Sequence, residues 1–380
     1  MVPLGEIAEI VSGATPKTGV TEYWDGDIPW VTPADLSRLP GHCIEAPARY
    51  ITKAGYDSCA TTLLPAGSVL LSSRAPIGHV AINTIPVATN QGFKSLVPGP
   101  DVAAKYMFHW LRSNTAYLQS MGNGATFKEL SKQTTSAIQI PLPPFDEQRR
   151  IAAILDQADA LRTKRRAQLA KLDALPQAIF RKMFGNPLAR GAQTVPIGSL
   201  AEVKTGNSPS RSQPENFGAH LDWVKSDNLG GTFIAPANER LSETGARRAR
   251  LAPRDSVLVT CIAGSRSSIG KCSLAVRTVA FNQQINAILP SEKINPVFLL
   301  WQLKTNPELI RQASTGGMKG LVSKSRFSAI EILNPPQHRQ QEFASRAAAV
   351  QRVSESAASQ LMRDEALFAS LQAQAFRGGL

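Results

Sequence analysis

The chain repeats itself, and this constrains its fold more than any single motif does. Pro3-Leu4-Gly5-Glu6-Ile7-Ala8-Glu9 returns as Pro196-Ile197-Gly198-Ser199-Leu200-Ala201-Glu202, and Trp30-Val31 returns as Trp223-Val224, both 193 residues on. Pro65-Ala66-Gly67-Ser68-Val69-Leu70 answers Pro253-Arg254-Asp255-Ser256-Val257-Leu258 at a spacing of 188. Ile77-Gly78, Asn90-Gln91, Ser136-Ala137-Ile138 and Pro143-Pro144 each recur 192 residues later, as Ile269-Gly270, Asn282-Gln283, Ser328-Ala329-Ile330 and Pro335-Pro336. Matches in one order at a nearly constant spacing identify a duplicated unit.

Each copy has two parts. The first alternates short apolar runs with Gly, Pro and Asn. Val69-Leu70-Leu71, Val80-Ala81-Ile82, Ser95-Leu96-Val97, Val257-Leu258-Val259 and Ile285–Ile288 read as strands, while Lys105–Arg112 and Pro296–Lys304 read as helices. The fold class expected is α/β of mixed α+β type, without an assigned strand order. The second part is helical: Asp146 to Phe184 contains no glycine and only one proline, Pro176, expected to kink or interrupt the last third. With Ile151 at heptad position a, Ala158, Arg165, Leu172 and Ile179 follow at a, and Ile154, Leu161, Gln168, Leu175 and Lys182 fall at d. Leu155 and Leu169 widen the apolar face. The second copy places Phe343, Val350, Ala357, Asp364 and Leu371 at a, with Val353 and Leu367 at d. Two such stripes bury each other most simply, so the helices are expected to pair.

The boundaries expected are a first domain over 1–142, a helical region over 143–187, a second domain over 188–336 and a second helical region over 337–380. A length of 380 residues supports two ordinary cores. The net charge of +13 suggests a polyanionic partner, but it is unevenly placed. Residues 1–142 carry ten side chains of each sign, whereas 188–336 carry 18 basic and 10 acidic ones. Charge alone therefore does not mark the first copy as a nucleic-acid binder. No membrane span or signal-peptide pattern is read, and the four cysteines are too widely spaced for a C-x-x-C pair; a reducing cytoplasm is the expected setting.

Duplication also serves as an internal control on apparent catalytic motifs. Asn334-Pro335-Pro336 resembles an amino-methyltransferase signature, but Gln337 replaces its aromatic and the other copy reads Leu142-Pro143-Pro144-Phe145. Ser265–Cys272 fails the phosphate-loop pattern at both ends, with Ser265 for the first glycine and Cys272 for the hydroxyl. The five histidines lack ligand spacing. Asp25, Asp27 and Asp35 face His220, Asp222 and Asn228 in the second copy, so no acidic metal cluster is repeated. The expectation is a chain with no catalytic site, cofactor or metal of its own.

Pro141-Leu142-Pro143-Pro144-Phe145-Asp146-Glu147-Gln148-Arg149-Arg150-Ile151-Ala152 and Met183-Phe184-Gly185-Asn186-Pro187 resemble the central region of the specificity subunits of type I restriction–modification enzymes. Gly13-Ala14-Thr15-Pro16, Arg74–Gly78 and Asn90-Gln91-Gly92-Phe93 strengthen the resemblance, which covers essentially the whole chain. It implies two target-recognition domains, each reading half of a split double-stranded DNA sequence, held apart by two antiparallel helices in a pseudo-twofold arrangement. It further implies docking of methyltransferase subunits, two in number, and of restriction or translocase subunits in the full complex, with no membrane partner. One departure is that Glu147 becomes Arg339 in the second copy, which puts equivalent docking at the two ends in doubt.

Phosphate contact calls for Lys, Arg or small donors on loops; base readout calls for Arg, Asn or Gln. That filter selects Lys17, Arg74, Asn90, Gln91, Lys128 and Lys132 in the first copy, and Arg211, Arg266, Lys271, Gln283, Lys319 and Lys324 in the second. Glycines at 122, 124, 316 and 317 precede the last pair of each set. Asn90 and Gln91 recur, which argues for a duty common to both copies, fold or phosphate, rather than differing bases. Helix pairing falls to Ile151, Ile154, Ala158, Leu161, Leu172 and Leu175 against Phe343, Val350, Val353, Leu367 and Leu371. Two other readings stay open: a duplicated protein-binding scaffold, and a fused nuclease or methyltransferase, against which the missing cofactor loop counts.

Overall fold

A computed structural model describes the chain except for residues 40, 75, 125–127, 190, 316–319 and 378–380. It divides into two compact units: residues 1–167 with 359–380, and residues 168–358. Each long helix contributes one part to each unit, so these divisions differ from the boundaries read along the sequence.

In the first unit a five-stranded sheet runs in the order Ala8–Ser12, Lys94–Pro98, Val69–Leu71, Val80–Asn83, Cys43–Ile44, antiparallel except for the last pair. Its central strand shows why a continuous apolar run suits this place. Successive side chains alternate across a sheet, so Val69 and Leu71 enter a core with Phe108 and Leu111 while Leu70 enters another with Val31 and Phe93. The second unit repeats this logic. Val257 and Val259 pack with Phe298 and Leu303, and Leu258 packs with Val224 and Phe281. Each such side chain contributes about 1.5–3 kcal/mol by burial. The second unit's four-stranded antiparallel sheet orders Val203–Thr205, Ile285–Ile288, Val257–Thr260, Cys272–Leu274. Where the first unit has the edge strand Cys43–Ile44, the second has a single bridge from Phe233 to Leu274.

A smaller sheet completes each unit. Trp24–Val31 pairs antiparallel with Arg49–Ile51 and parallel with Ala88–Thr89. Phe217–Val224 pairs antiparallel with Arg240–Leu241 and parallel with Val279–Phe281.

The first long helix spans Phe145–Phe184 and the second Gln337–Ala375. Asp146 and Glu147 in the first turn and Arg181 and Lys182 in the last complement the helix dipole of the first. It ends at Gly185, whose φ of +74° is a left-handed cap that lets its N–H return to Arg181 O at 2.9 Å. Pro176 does not interrupt it. The residue is buried on the packed face, and one missing intrahelical hydrogen bond is outweighed by that packing. Both helices start on a buried glutamine. Gln148 donates to Asp101 O and Pro143 O, each at 2.9 Å, and accepts from Ala103 N at 2.9 Å. Gln340 donates to Pro335 O at 2.8 Å and accepts from Asn295 N at 2.8 Å.

The seam corrects the a/d expectation. With Ile151 at a, burial centres on e, with a and b on its two flanks. In the first unit Ile151, Leu155, Arg162, Phe368 and Ala375 are buried and Ala158 and Leu371 half-buried, while Leu161 and Leu367 are exposed. In the second, Phe180, Phe343, Ala347 and Ala357 are buried and Leu172 and Val350 half-buried, while Leu175 and Val353 are exposed. At 3.6 residues per turn, e lies about 40° from a and d about 60° away on the other side. Burying Leu155 and Phe368 fixes the choice, and Ile154 ends half-buried. The polar heptad positions of the first unit find partners. Arg165 Nε lies 3.3 Å from Asp364 Oδ2, Arg166 Nη2 lies 2.7 Å from Glu365 Oε1, and the Arg162 guanidinium stands 3.6 Å over Phe368. The order of these contacts makes the segments antiparallel.

Candidate nucleic-acid interface

The loop after Ala8–Ser12 begins at Gly13 because nothing larger fits. A Cβ there would lie 2.2 Å from Asn90 O and 2.3 Å from Thr89 O. This close crossing lets Ala14 N donate to Thr89 O at 2.9 Å and brings the Thr15 hydroxyl onto the Gln91 side chain. The Trp30 indole donates to Ala14 O at 3.1 Å and the Trp24 indole to Lys17 O at 3.4 Å, fixing the loop from beneath. Asn90 Oδ1 accepts from Gly92 N at 2.9 Å, so this side chain forms the turn that presents Gln91. From there the backbone chain continues: Ser73 N to Gly92 O at 2.7 Å, then Leu130 N to Ser73 O at 2.9 Å. The result is a hydrogen-bonded ribbon of four segments.

Five of the six selected residues of the first unit ride on this ribbon. Lys17, Gln91 and Lys128 are exposed; Arg74 is half-exposed, its Nη1 3.9 Å from Glu129 Oε2. Glu129 also holds Lys94 Nζ at 3.2 Å. Lys132, exposed, opens the helix Lys132–Ala137 just beyond the ribbon's last segment.

The second unit builds the same ribbon. A Cβ on Gly206 would meet Asn282 O at 2.2 Å and Phe281 O at 2.4 Å, and Asn207 N donates to Phe281 O at 3.1 Å. Ser208 touches Gln283 as Thr15 touches Gln91. Cys261 N and Ile262 N donate to Gln284 O at 2.8 and 3.1 Å, and Val322 N donates to Cys261 O at 2.9 Å. Gln283 and Arg211 are exposed on it, but Arg211 Nη2 is bound to both oxygens of Glu239, at 3.1 and 2.9 Å. Lys324 opens its helix as Lys132 does. Arg266 and Lys271 are exposed on the hairpin after Val257–Thr260 rather than on the ribbon itself. Lys319 lies outside the described residues, as do glycines 316 and 317.

Residue-by-residue selection missed the aromatic floor. Trp24 and Trp30 in one unit and Phe217 and Trp223 in the other underlie the ribbons. An aromatic-x5-aromatic spacing repeated at 193 would have revealed both pairs. Arg49 and Glu239, which face these rings, carry no such signal because the spacing between copies changes before them.

Other reactive groups lie away from this surface. Burial pushes the Cys261 and Cys272 thiols up to about 12, which removes them as nucleophiles at neutral pH. Among the described residues no group of three or more His, Cys, Asp or Glu is placed to hold a metal ion. Among the described residues no helix is long and apolar enough to cross a membrane.

Residues 1–171 and 190–357 each match the model of the type I restriction modification DNA specificity domain. The chain belongs to that family. The two specificity domains agree with the duplication and with the paired ribbons. The specificity subunit of the type I restriction enzyme MjaIX from Methanocaldococcus jannaschii is 33% identical over 226 residues, 54% of this chain and 52% of that one. The EcoR124I/EcoR124II specificity subunit of Escherichia coli is 30% identical over 165 residues, 42% of this chain and 40% of that one. The chain thus spans about half the length of the curated relatives it matches. Among solved structures, a chain from a study of assembly and conformational transition of the type I R-M system gives a TM-score of 0.64 at 18% identity, covering 100% of this chain and 97% of that one. The type I S subunit from M. genitalium gives 0.58 at 13% identity, covering 98% and 95%. These are likenesses of fold, and that fold places both specificity domains on the mixed α/β frame described above.

Proposed function

We propose that this chain is the DNA-reading subunit of a type I restriction–modification complex and is non-catalytic alone. Each specificity domain reads one half of a bipartite duplex target. The long helices set the gap between the half-sites and dock methyltransferase subunits, two per complex, with restriction or translocase subunits joining them. The observation that carries this reading is the ribbon built twice from the same backbone bonds. Its constant parts, Gln91 and Gln283 with the loops beneath them, suit a phosphate or framing duty; its variable cations suit bases that differ between half-sites. The modules 1–142 and 188–336 are then exchangeable.

The test replaces residues 188–336 by the matching part of a related subunit and sequences the methylome of cells carrying the hybrid with its methyltransferase. One half of the methylated sequence should change and the other persist. Both halves changing together, or a target with no bipartite form, would sink the proposal. The purified chain alone, given labelled methyl donor and duplex, should incorporate no label.

A further inference from the structure

The aromatic floors of the two units are alike, but the charged groups above them differ. In the first unit the Trp24 and Trp30 rings meet edge to face with centroids 5.1 Å apart. The Arg49 guanidinium carbon stands 3.8 Å from the Trp24 centroid and 5.3 Å from that of Trp30. Arg49 is exposed, and among the described residues no carboxylate pairs with it. In the second unit the Phe217 and Trp223 centroids lie 6.0 Å apart, again edge to face.

Strand register gives the equivalence. Trp30 pairs with Arg49 across the antiparallel ladder. Asp222 pairs with Arg240, and Trp223 N donates to Glu239 O at 3.1 Å, so Glu239 occupies Arg49's place opposite the same tryptophan. Glu239 binds Lys225 and Arg211, whose cations lie 4.9 Å from Trp223 and 5.7 Å from Phe217. Lys225, and after it Arg211, hold the Glu239 carboxyl below its ordinary value, so it stays ionised. One unit thus offers an unpaired guanidinium backed by a ring. The other offers two cations restrained by a carboxylate.

We propose that Arg49 is a specificity-determining residue of the first unit, reading a base edge with two acceptors, of guanine type, and that Glu239 sets the different preference of the second. The inference rests on the DNA-reading function proposed above. A planar fork stacked on an indole loses little freedom when it makes two parallel hydrogen bonds, which is what bidentate base recognition requires. Glu239 keeps Arg211 from offering the same fork, and the Lys225 ammonium has none to offer. Positions that differ on an otherwise shared frame are where two half-sites can be told apart. Lys17, matched by Ser210, lies on the loop whose Lys17 carbonyl is held by Trp24, so Arg49 stands beside the ribbon rather than on a remote face.

The test uses the full chain in complex with its methyltransferase partner and duplexes in which each base pair of the target, first defined with the unsubstituted complex, is varied in turn. Arg49→Gln should lower the preference at one G·C pair of one half-site by about tenfold or more and leave the other half-site unchanged. Glu239→Gln should alter preference only in that other half. An unchanged preference with Arg49→Gln overturns the proposal. So does a uniform loss of affinity for all sequences, which marks a phosphate contact, or a change in both half-sites. Should Arg49→Gln fail to fold, judged by its melting temperature, Arg49→Lys decides by the same readout: it keeps the charge and loses the fork. If the unsubstituted complex itself shows no bipartite target, the function proposed above fails rather than the role of Arg49.

Discussion

In the first unit the short helix Ala104–Ser113 docks on the long helix through charge, and in the second its counterpart Pro296–Thr305 docks through rings. Lys105 Nζ and His109 Nε2 reach Asp156 at 2.7 and 2.8 Å, and Arg112 Nη1 reaches Asp159 at 2.6 Å. Burial alone would raise the Asp156 carboxyl, but hydrogen bonds from His109 and Lys105 outweigh it and hold the group at about 2. At 192 residues' remove stand Val297, Trp301 and Lys304 on the short helix, and Ala348 and Gln351 on the long one. There Phe180, Phe184, Phe298 and Phe343 gather with centroids between 5.0 and 6.4 Å apart. Partly buried ion pairs fix geometry at a desolvation cost, whereas packed rings stabilise mainly through area. One backbone accepts both because the parts that hold the frame did not change: Gln148 and Gln340, and the ring contact of Tyr106 with Phe376 that mirrors Phe298 with Phe184.

The sharpest way to break this comparison is to empty the ring cluster. Phe343→Ala should cost about 3–5 kcal/mol, since a fully buried ring leaves a cavity its neighbours cannot close. Hydrogen exchange on the full chain should show lost protection in residues 168–358, with residues 1–167 unaffected. An equal loss in both units would mean that they unfold together and that their roots cannot be compared separately.

The charged root should instead respond to pH. The Asp156 carboxyl is depressed from an ordinary value of 3.8 to about 2, so its stabilising contribution is complete above about pH 4 and is lost as pH falls through about 2. The size is about 2 kcal/mol. Asp156→Asn should therefore weaken the first unit by roughly that amount at pH 7 and flatten its acid dependence between these limits. Val297 and Ala348 give the second unit no equivalent titration at these positions. Equal acid slopes for the first unit in the parent and variant would disprove the role of Asp156.

The duplication, the short strands, both root helices and the long helices were legible because each has a local signature: repeated strings, apolar runs and absent glycines. Polar Arg165 and Asp364 fall at heptad position a in the sequence, but only the structure shows that they pair with each other. The ribbon was legible only in part. Gln91 and Lys17 stood out as residue types, but whether an arginine is available depends on distant carboxylates: Glu129 holds Arg74 and Glu239 holds Arg211. Such pairings join segments far apart in sequence, and no periodicity encodes them. The seam was misread for a related reason. Positions three and four residues from a lie almost equally near one face, and core neighbours such as Tyr106 and Phe376, not the heptad, decide between them.

That choice of face yields the smallest expected effect and the finest test. If burial centres on e and its flanks in both units, the exposed apolar residues at d are dispensable for stability. Leu161, 42% exposed in the first unit, and Val353, 51% exposed in the second, sit at that position. Leu161→Gln and Val353→Gln should each shift stability by no more than about 0.5 kcal/mol, as surface substitutions do. Leu155→Gln, one heptad place away, buries an amide in the first unit's core and should cost several times more, because a desolvated polar group without partners costs about 1–3 kcal/mol beyond the lost apolar contact. Urea denaturation of the three variants separates the registers. If Leu161→Gln proves as damaging as Leu155→Gln, the seam runs through a and d after all. Equal tolerance at Leu161 and Val353 would show that both units inherited the same rotation of their helices, even though one root is charged and the other aromatic.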